Sequence, residues 1–105
     1  MAGRVAIWGA GHQALALISL LGIAPRIRFV VDSAPFKQGR FTPASHLPIV
    51  APERLDAGEV DAVIVLAASY SDEVARLIAQ RHGTRFQVAV LRDNALHASD
   101  AGEEP

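Results

Sequence analysis

Residues whose types and spacing could do chemistry gather near the amino terminus. Gly9-Ala10-Gly11-His12-Gln13-Ala14 fits the pattern G-x-G-x-x-G/A, and Asp32 follows about twenty residues further on. In such an arrangement the first glycine makes a tight turn, the second lets a phosphate approach the backbone, and helix amides meet its charge. A carboxylate at the position of Asp32 would then face a ribose hydroxyl. The same residues also suit a bare strand-to-helix crossover that needs small side chains, with Asp32 closing a turn, so bound dinucleotide and empty crossover both stand. His12, at the expected helix start, and Gln13 could touch an anion. In Lys37-Gln38-Gly39-Arg40, Arg40 could hold a phosphate by paired hydrogen bonds and Lys37 as a point charge, or the stretch could be an exposed basic turn. Ser69 and Tyr70 complete the candidate ligand-binding set. Ser69 and Ser71 have no base in pattern, which makes them helix caps sooner than nucleophiles.

Several other chemistries are excluded by residue usage. The 105-residue chain has no cysteine, hence no disulfide scaffold, thiolate metal site or thiol catalysis. His46, His82 and His97 lack partners at metal-ligand spacing, and there is no Gly-x-Ser-x-Gly elbow, His-Glu-x-x-His pair or Walker loop. Neither a metal nor a catalytic residue is expected. A dehydrogenase would also need a substrate pocket and an acid or base beside the hydride acceptor, for which so short a chain has little room. Ten Lys and Arg oppose eleven Asp and Glu for a net charge of −1, which is no footprint for nucleic acid or an anionic membrane. Apolar runs such as Ala62 to Ala68 fall far short of the ~18 residues of a spanning helix. Arg4 and the apolar stretch to Ala24 imitate a secretory signal, but His12 and Gln13 interrupt it, and cleavage near Ala16 would remove the first strand. A cytoplasmic location is expected.

The elements that must position these residues alternate. Arg4 to Trp8 reads as a buried strand running into the glycine turn, and His12 to Leu21 as a helix closed by Gly22. Ile27 to Asp32 is a second strand, with Phe29-Val30-Val31 apolar on both faces, and the intervening helix makes it parallel to the first. From Ser33 to Pro52 prolines and Gly39 break regular structure, leaving a long loop of the kind that carries function. Leu47 to Val50 can supply an edge strand and Pro52 to Leu55 a helical turn. Asp61 to Ala67 is a central strand, followed by a helix with Val74, Leu77 and Ile78 towards the core and Gly83 at its end. Phe86 to Leu91 is a last strand, and the acidic tail 94–105 is expected to fray. The expected fold is thus α/β, a Rossmann-like three-layer α/β/α domain over 1–93 with about five mostly parallel strands. Its ligand crevice would lie at Gly9 to Gln13, Asp32 with its loop, and Ala68 to Ser71. The first helix is apolar almost all round, so a partner is expected to cover it.

The residues also resemble a family. Val5-Ala6-Ile7-Trp8-Gly9-Ala10, Leu17-Ile18, Gly22-Ile23, Val30-Val31-Asp32, Pro35, Lys37, Gly39-Arg40, Pro43, His46, Pro48-Ile49 and Asp72-Glu73 resemble the carboxy-terminal domain of sugar C-methyltransferases. The likeness runs from about Val5 to Leu91, and Asp-x-x-Pro-x-Lys-x-Gly-Arg is its most specific part. The resemblance implies a three-part enzyme with a zinc-binding segment, a central S-adenosylmethionine-binding domain holding the acid-base residues, and this domain last. A nucleotide sugar would lie between the last two. No cofactor is then expected in this chain, and its partner is either the S-adenosylmethionine-binding domain or a second copy through helix 12–21. Where the family tends to carry Lys and Gly in the first turn this chain has Gln13 and Ala14, and Ala68-Ser69 replaces a Trp-Asn pair, so the fold transfers more directly than the ligand. The alternative from the residues alone is a free-standing NAD- or nucleotide-binding regulatory module, or a small structural subunit.

Overall fold

Runs of β-branched and apolar residues without polar alternation can be satisfied only where a strand is covered on both faces, which is the situation inside a parallel sheet. A computed structural model describes residues 4–83, 85–92 and 95–98 and places those runs accordingly. The strands are β1 (Val5–Trp8), β2 (Ile27–Val31), β3 (Ile49–Val50), β4 (Ala62–Val65), β5 (Gln87–Arg92) and β6 (Ala95–Ala98); the helices are α1 (His12–Leu21) and α2 (Ser71–His82). The described residues form a six-stranded sheet in the order β3-β2-β1-β4-β5-β6. The first five strands are parallel, with Ile7 beside Val30 on one side and Ile64 on the other. β6 runs antiparallel to β5, Val90 opposite His97.

Side-chain parity divides this sheet into two cores. Ala6, Phe29, Val31, Val63, Val65 and Val90 face α2 and the 3-10 turn Pro52–Ala57, which contributes Leu55. Ile7, Val30 and Ile49 face the opposite way and meet Ile18 of α1 and Leu47 of the long loop. The expected three layers are therefore present, with the two helices on opposite faces.

Two expectations change, one in α2 and one beyond β5, while α1 shows the outward apolar residues that its composition implied. In α2 the buried stripe is Val74, Ala75 and Ile78, while Leu77 is exposed. In α1 the residues that reach the sheet are Ala14 and Ile18; Leu20 is 80% exposed and Leu21 63%. Ile18 joins the core on that face of the sheet, and Ala14, one turn earlier, is buried beside it. Finally, 95–98 forms an edge strand antiparallel to β5 where a tail with little to pack was expected. The stretch 99–105 lies outside the described residues.

Candidate functional site

The carboxyl end of the sheet is built around the turn after β1. Gly9 N–H donates to the Val31 carbonyl at 2.8 Å, and Leu66 N–H donates to the Trp8 carbonyl at 2.9 Å, so the turn is stitched to both neighbouring strands. Gly9 has φ +123°, and a Cβ built on it would lie 2.6 Å from the Leu66 carbonyl oxygen. Its role is therefore close approach of two backbones. Gly11 differs: it is the N-cap of α1 with φ −80°, makes no side-chain cap, and has nothing within 4 Å of an added Cβ. A side chain at Gly11 would therefore point into open space at the end of the helix where free amides favour an anion. His12 and Gln13 are exposed at the same helix start.

Asp32 is occupied by its own protein. One carboxylate oxygen accepts from Ala10 N–H at 3.0 Å, the other from Ala34 N–H at 2.8 Å. Lys37 reaches in from the loop, its Nζ 3.4 Å from the Ala10 carbonyl and 3.7 Å from Asp32 Oδ2. Gln38 Nε2 donates to the Asp32 carbonyl at 2.9 Å. Asp32 thus latches the glycine turn to the loop after β2, a role that the Asx-turn reading anticipated in part. The loop is itself ordered: Gly39 N–H and Ile49 N–H bond to Ile49 and Arg40 carbonyls, Phe41 bridges Pro48, and buried Thr42 accepts from Leu47 N–H at 2.8 Å. Of the two cations only Lys37 joins the glycine turn. The Arg40 side chain is exposed and makes no hydrogen bond or ion pair among the described residues.

After β4 the chain enters a 3-10 turn, Ala68–Tyr70, with Ala68 at φ 52°. Neither serine caps α2 as expected. Tyr70 is the N-cap, without a side-chain bond, and buried Ser71 instead accepts from Ala67 N–H at 3.0 Å, fixing the entry to the helix. Ser69 and Tyr70 are exposed. Sequence reasoning passed over Trp8, Ser33 and Pro52, which with Tyr70 border a cavity of about 540 Å³ against α2. The available signal was strand parity, since Trp8 shares the face of Ala6.

Charge elsewhere is paired at the surface. The Arg4 guanidinium bonds Asp61 at 2.6 Å, Arg54 bonds Glu59 at 2.6 Å and Arg81 bonds Asp56 at 2.7 Å; each arginine holds its carboxyl below the ordinary range by that hydrogen bond. His82, whose side chain is 4% exposed, packs edge-on against Phe86 and is held below the usual histidine range by burial. Among the described residues no group of three or more His, Asp or Glu could hold a metal, and no helix is long and apolar enough to cross a membrane.

Strand order 3-2-1-4-5, helices on alternate faces and a glycine turn at the reversal point define an open, doubly wound α/β domain of the Rossmann type. Within that class, residues 1–90 match the C-methyltransferase C-terminal domain family, and the chain belongs to it. It is 35% identical over 71 residues to C-methyltransferase NovU from Streptomyces niveus, covering 67% of this chain and 17% of that protein. The chain thus spans about a sixth of the length of that relative. Among solved structures it resembles UDP-D-quinovosamine 4-dehydrogenase from Vibrio fischeri with a TM-score of 0.71 over 94% of each chain, at 19% identity, a likeness of fold.

Proposed function

We propose that this domain supplies the substrate side of a C-methyltransferase acting on a nucleotide sugar or a related compound, while S-adenosylmethionine and the acid-base residues sit in the remainder of the enzyme. The observation that carries the reading is the uncapped start of α1 at Gly11, where an added Cβ would meet open space, with the Lys37 ammonium nearby and shared with Asp32; free helix amides and a cation suit the diphosphate of such a substrate. An apolar groove of about 220 Å³ lined by Leu17, Leu21, Ile64, Leu66 and Leu91 lies beside the exposed end of α1, and this is the surface that we assign to the rest of the enzyme. The family membership and the small share of the relative's length that the chain spans support that assignment.

Calorimetry on the chain with a thymidine- or uridine-diphosphate sugar and, separately, with S-adenosylmethionine tests the reading. Binding of the sugar nucleotide and none of the methyl donor is the expected outcome. Micromolar affinity for S-adenosylmethionine, or none for any nucleotide, overturns it. NAD is the control for the dinucleotide alternative, which assigns Asp32 to a ribose; the latch to Ala10 and Ala34 accounts for Asp32 without one.

A further inference from the structure

At the turn before α1 the Gly9 and Leu66 backbones are in contact and the Ala10 amide is taken by Asp32, so the open start of α1 has no recess behind it for a base. The depth lies on the other face. There the crossover from β3 to β4 contains only the 3-10 turn Pro52–Ala57, too short to roof the sheet beside α2, and the cavity of about 540 Å³ is what it leaves uncovered. That volume falls within the ~300–1,000 Å³ of small-molecule sites. Its upper end gathers residues from three strand termini at the point where strand order reverses: Trp8 closing β1, Ser33 beyond β2, and Tyr70 with Glu73 beyond β4. Trp8 is half-buried, and Tyr70 is 67% exposed. Two aromatic rings at the border of one cavity offer stacking, while the Ser33 hydroxyl and Glu73 carboxylate offer edge hydrogen bonds; a flat heterocycle with N–H donors uses both.

We infer that the upper end of this cavity receives the heterocyclic base of a nucleoside diphosphate, stacked on Trp8 and Tyr70, with the diphosphate turned towards the start of α1. The inference rests on the proposed function and adds where the nucleotide lies and what recognises it. It also gives a role to Tyr70, which makes no hydrogen bond through its hydroxyl among the described residues.

Trp8 and Tyr70 are the only tryptophan and tyrosine in the chain, so the site carries its own probe. Trp8 emission is followed during titration with UDP, TDP, ADP and ribose 5-phosphate, with calorimetry in parallel. Saturable quenching by a base-bearing diphosphate at its calorimetric affinity, and none by ribose 5-phosphate, is expected. Tyr70→Ala should weaken binding about tenfold, as loss of one base–aromatic stack does, whereas Tyr70→Phe should retain it. Quenching by ADP alone keeps the base site and assigns it to an adenine nucleotide. Calorimetric binding that leaves Trp8 emission unchanged, or that ignores Tyr70→Ala, overturns the base site and leaves the proposed function standing. Absence of calorimetric binding overturns both.

Discussion

At the residue scale, the two glycines of the first turn respond differently to a methyl group. At Gly9 it would sit 2.6 Å from the backbone carbonyl oxygen of Leu66, just beyond β4, which cannot swing aside as a side chain could, at a φ of +123° that L-residues rarely adopt. At Gly11 it would meet open space at an ordinary φ. Gly9→Ala should therefore destabilise the chain by about 2 kcal/mol or more, and Gly11→Ala should stay within about 0.5 kcal/mol, both read from urea unfolding. If the two cost the same, the close contact between the β1 and β4 turns is not what holds Gly9. A third position in the same crevice carries a side chain where glycine would be easier: Ala68 has φ 52°. Ala68→Gly relieves about 1 kcal/mol of left-handed strain against a smaller gain in unfolded-chain entropy, and a melting temperature raised by a few degrees is expected.

At the element scale, α1 is attached to the sheet by Ala14 and Ile18 and presents its last leucines outward. Ile18→Ala should cost about 2–5 kcal/mol, as large-to-small changes in a filled core do, whereas Leu20→Glu should change stability by no more than about 0.5 kcal/mol. Equal losses in the two variants would mean that the helix is rotated from the arrangement described here. α2 carries the pH response. The buried His82 ring lies 3.8 Å from Asp56 Oδ1, an attraction that opposes the downward shift caused by burial, while Arg81 and Arg85 add to that shift. Because its folded pKa lies below the unfolded value of about 6.5, the unfolded chain takes up the proton first. Stability is thus full above that value and declines as pH falls beneath it. Melting temperatures between about pH 7 and pH 5 should fall in the parent chain and flatten in His82→Phe, which keeps the packing on Phe86. The carboxylates of Asp56, Glu59 and Asp61, lowered by their arginines, add a second decline only below about pH 4.

At the scale of the whole molecule, the two cores are not independent. Alternate residues of the same strands supply both, Ala6 and Ile7 in β1, Phe29 and Val30 in β2, so neither face can melt while the other keeps its sheet. Unfolding should be a single transition, with far-UV circular dichroism and Trp8 fluorescence giving coincident midpoints. Separated midpoints would show that the α1 layer detaches before the α2 layer. The near-balance of charge, net −1, means that this stability does not depend on relieving a large self-repulsion.

The sequence by itself determined the α/β class, the positions of the parallel strands and the turn that joins β1 to α1. Each of these rests on local information: unbroken β-branched runs, a glycine pair at a strand end, and prolines that break regular structure between Ser33 and Pro48. The aspartate closing β2 was equally legible as a residue of interest. What Asp32 binds was not, because Ala10 lies 22 residues away and is brought to it by parallel pairing of β1 with β2. The same is true of α1, whose leucine-rich composition could not reveal that Ala14 and Ile18 are the residues it buries, since that depends on how the helix is rotated against the assembled sheet. Only the tertiary structure decided that β6 completes the sheet and that the short crossover after β3 leaves a cavity against α2. Both follow from which faces the assembled strands leave uncovered, a property of packing between distant segments that no local pattern of residue types contains.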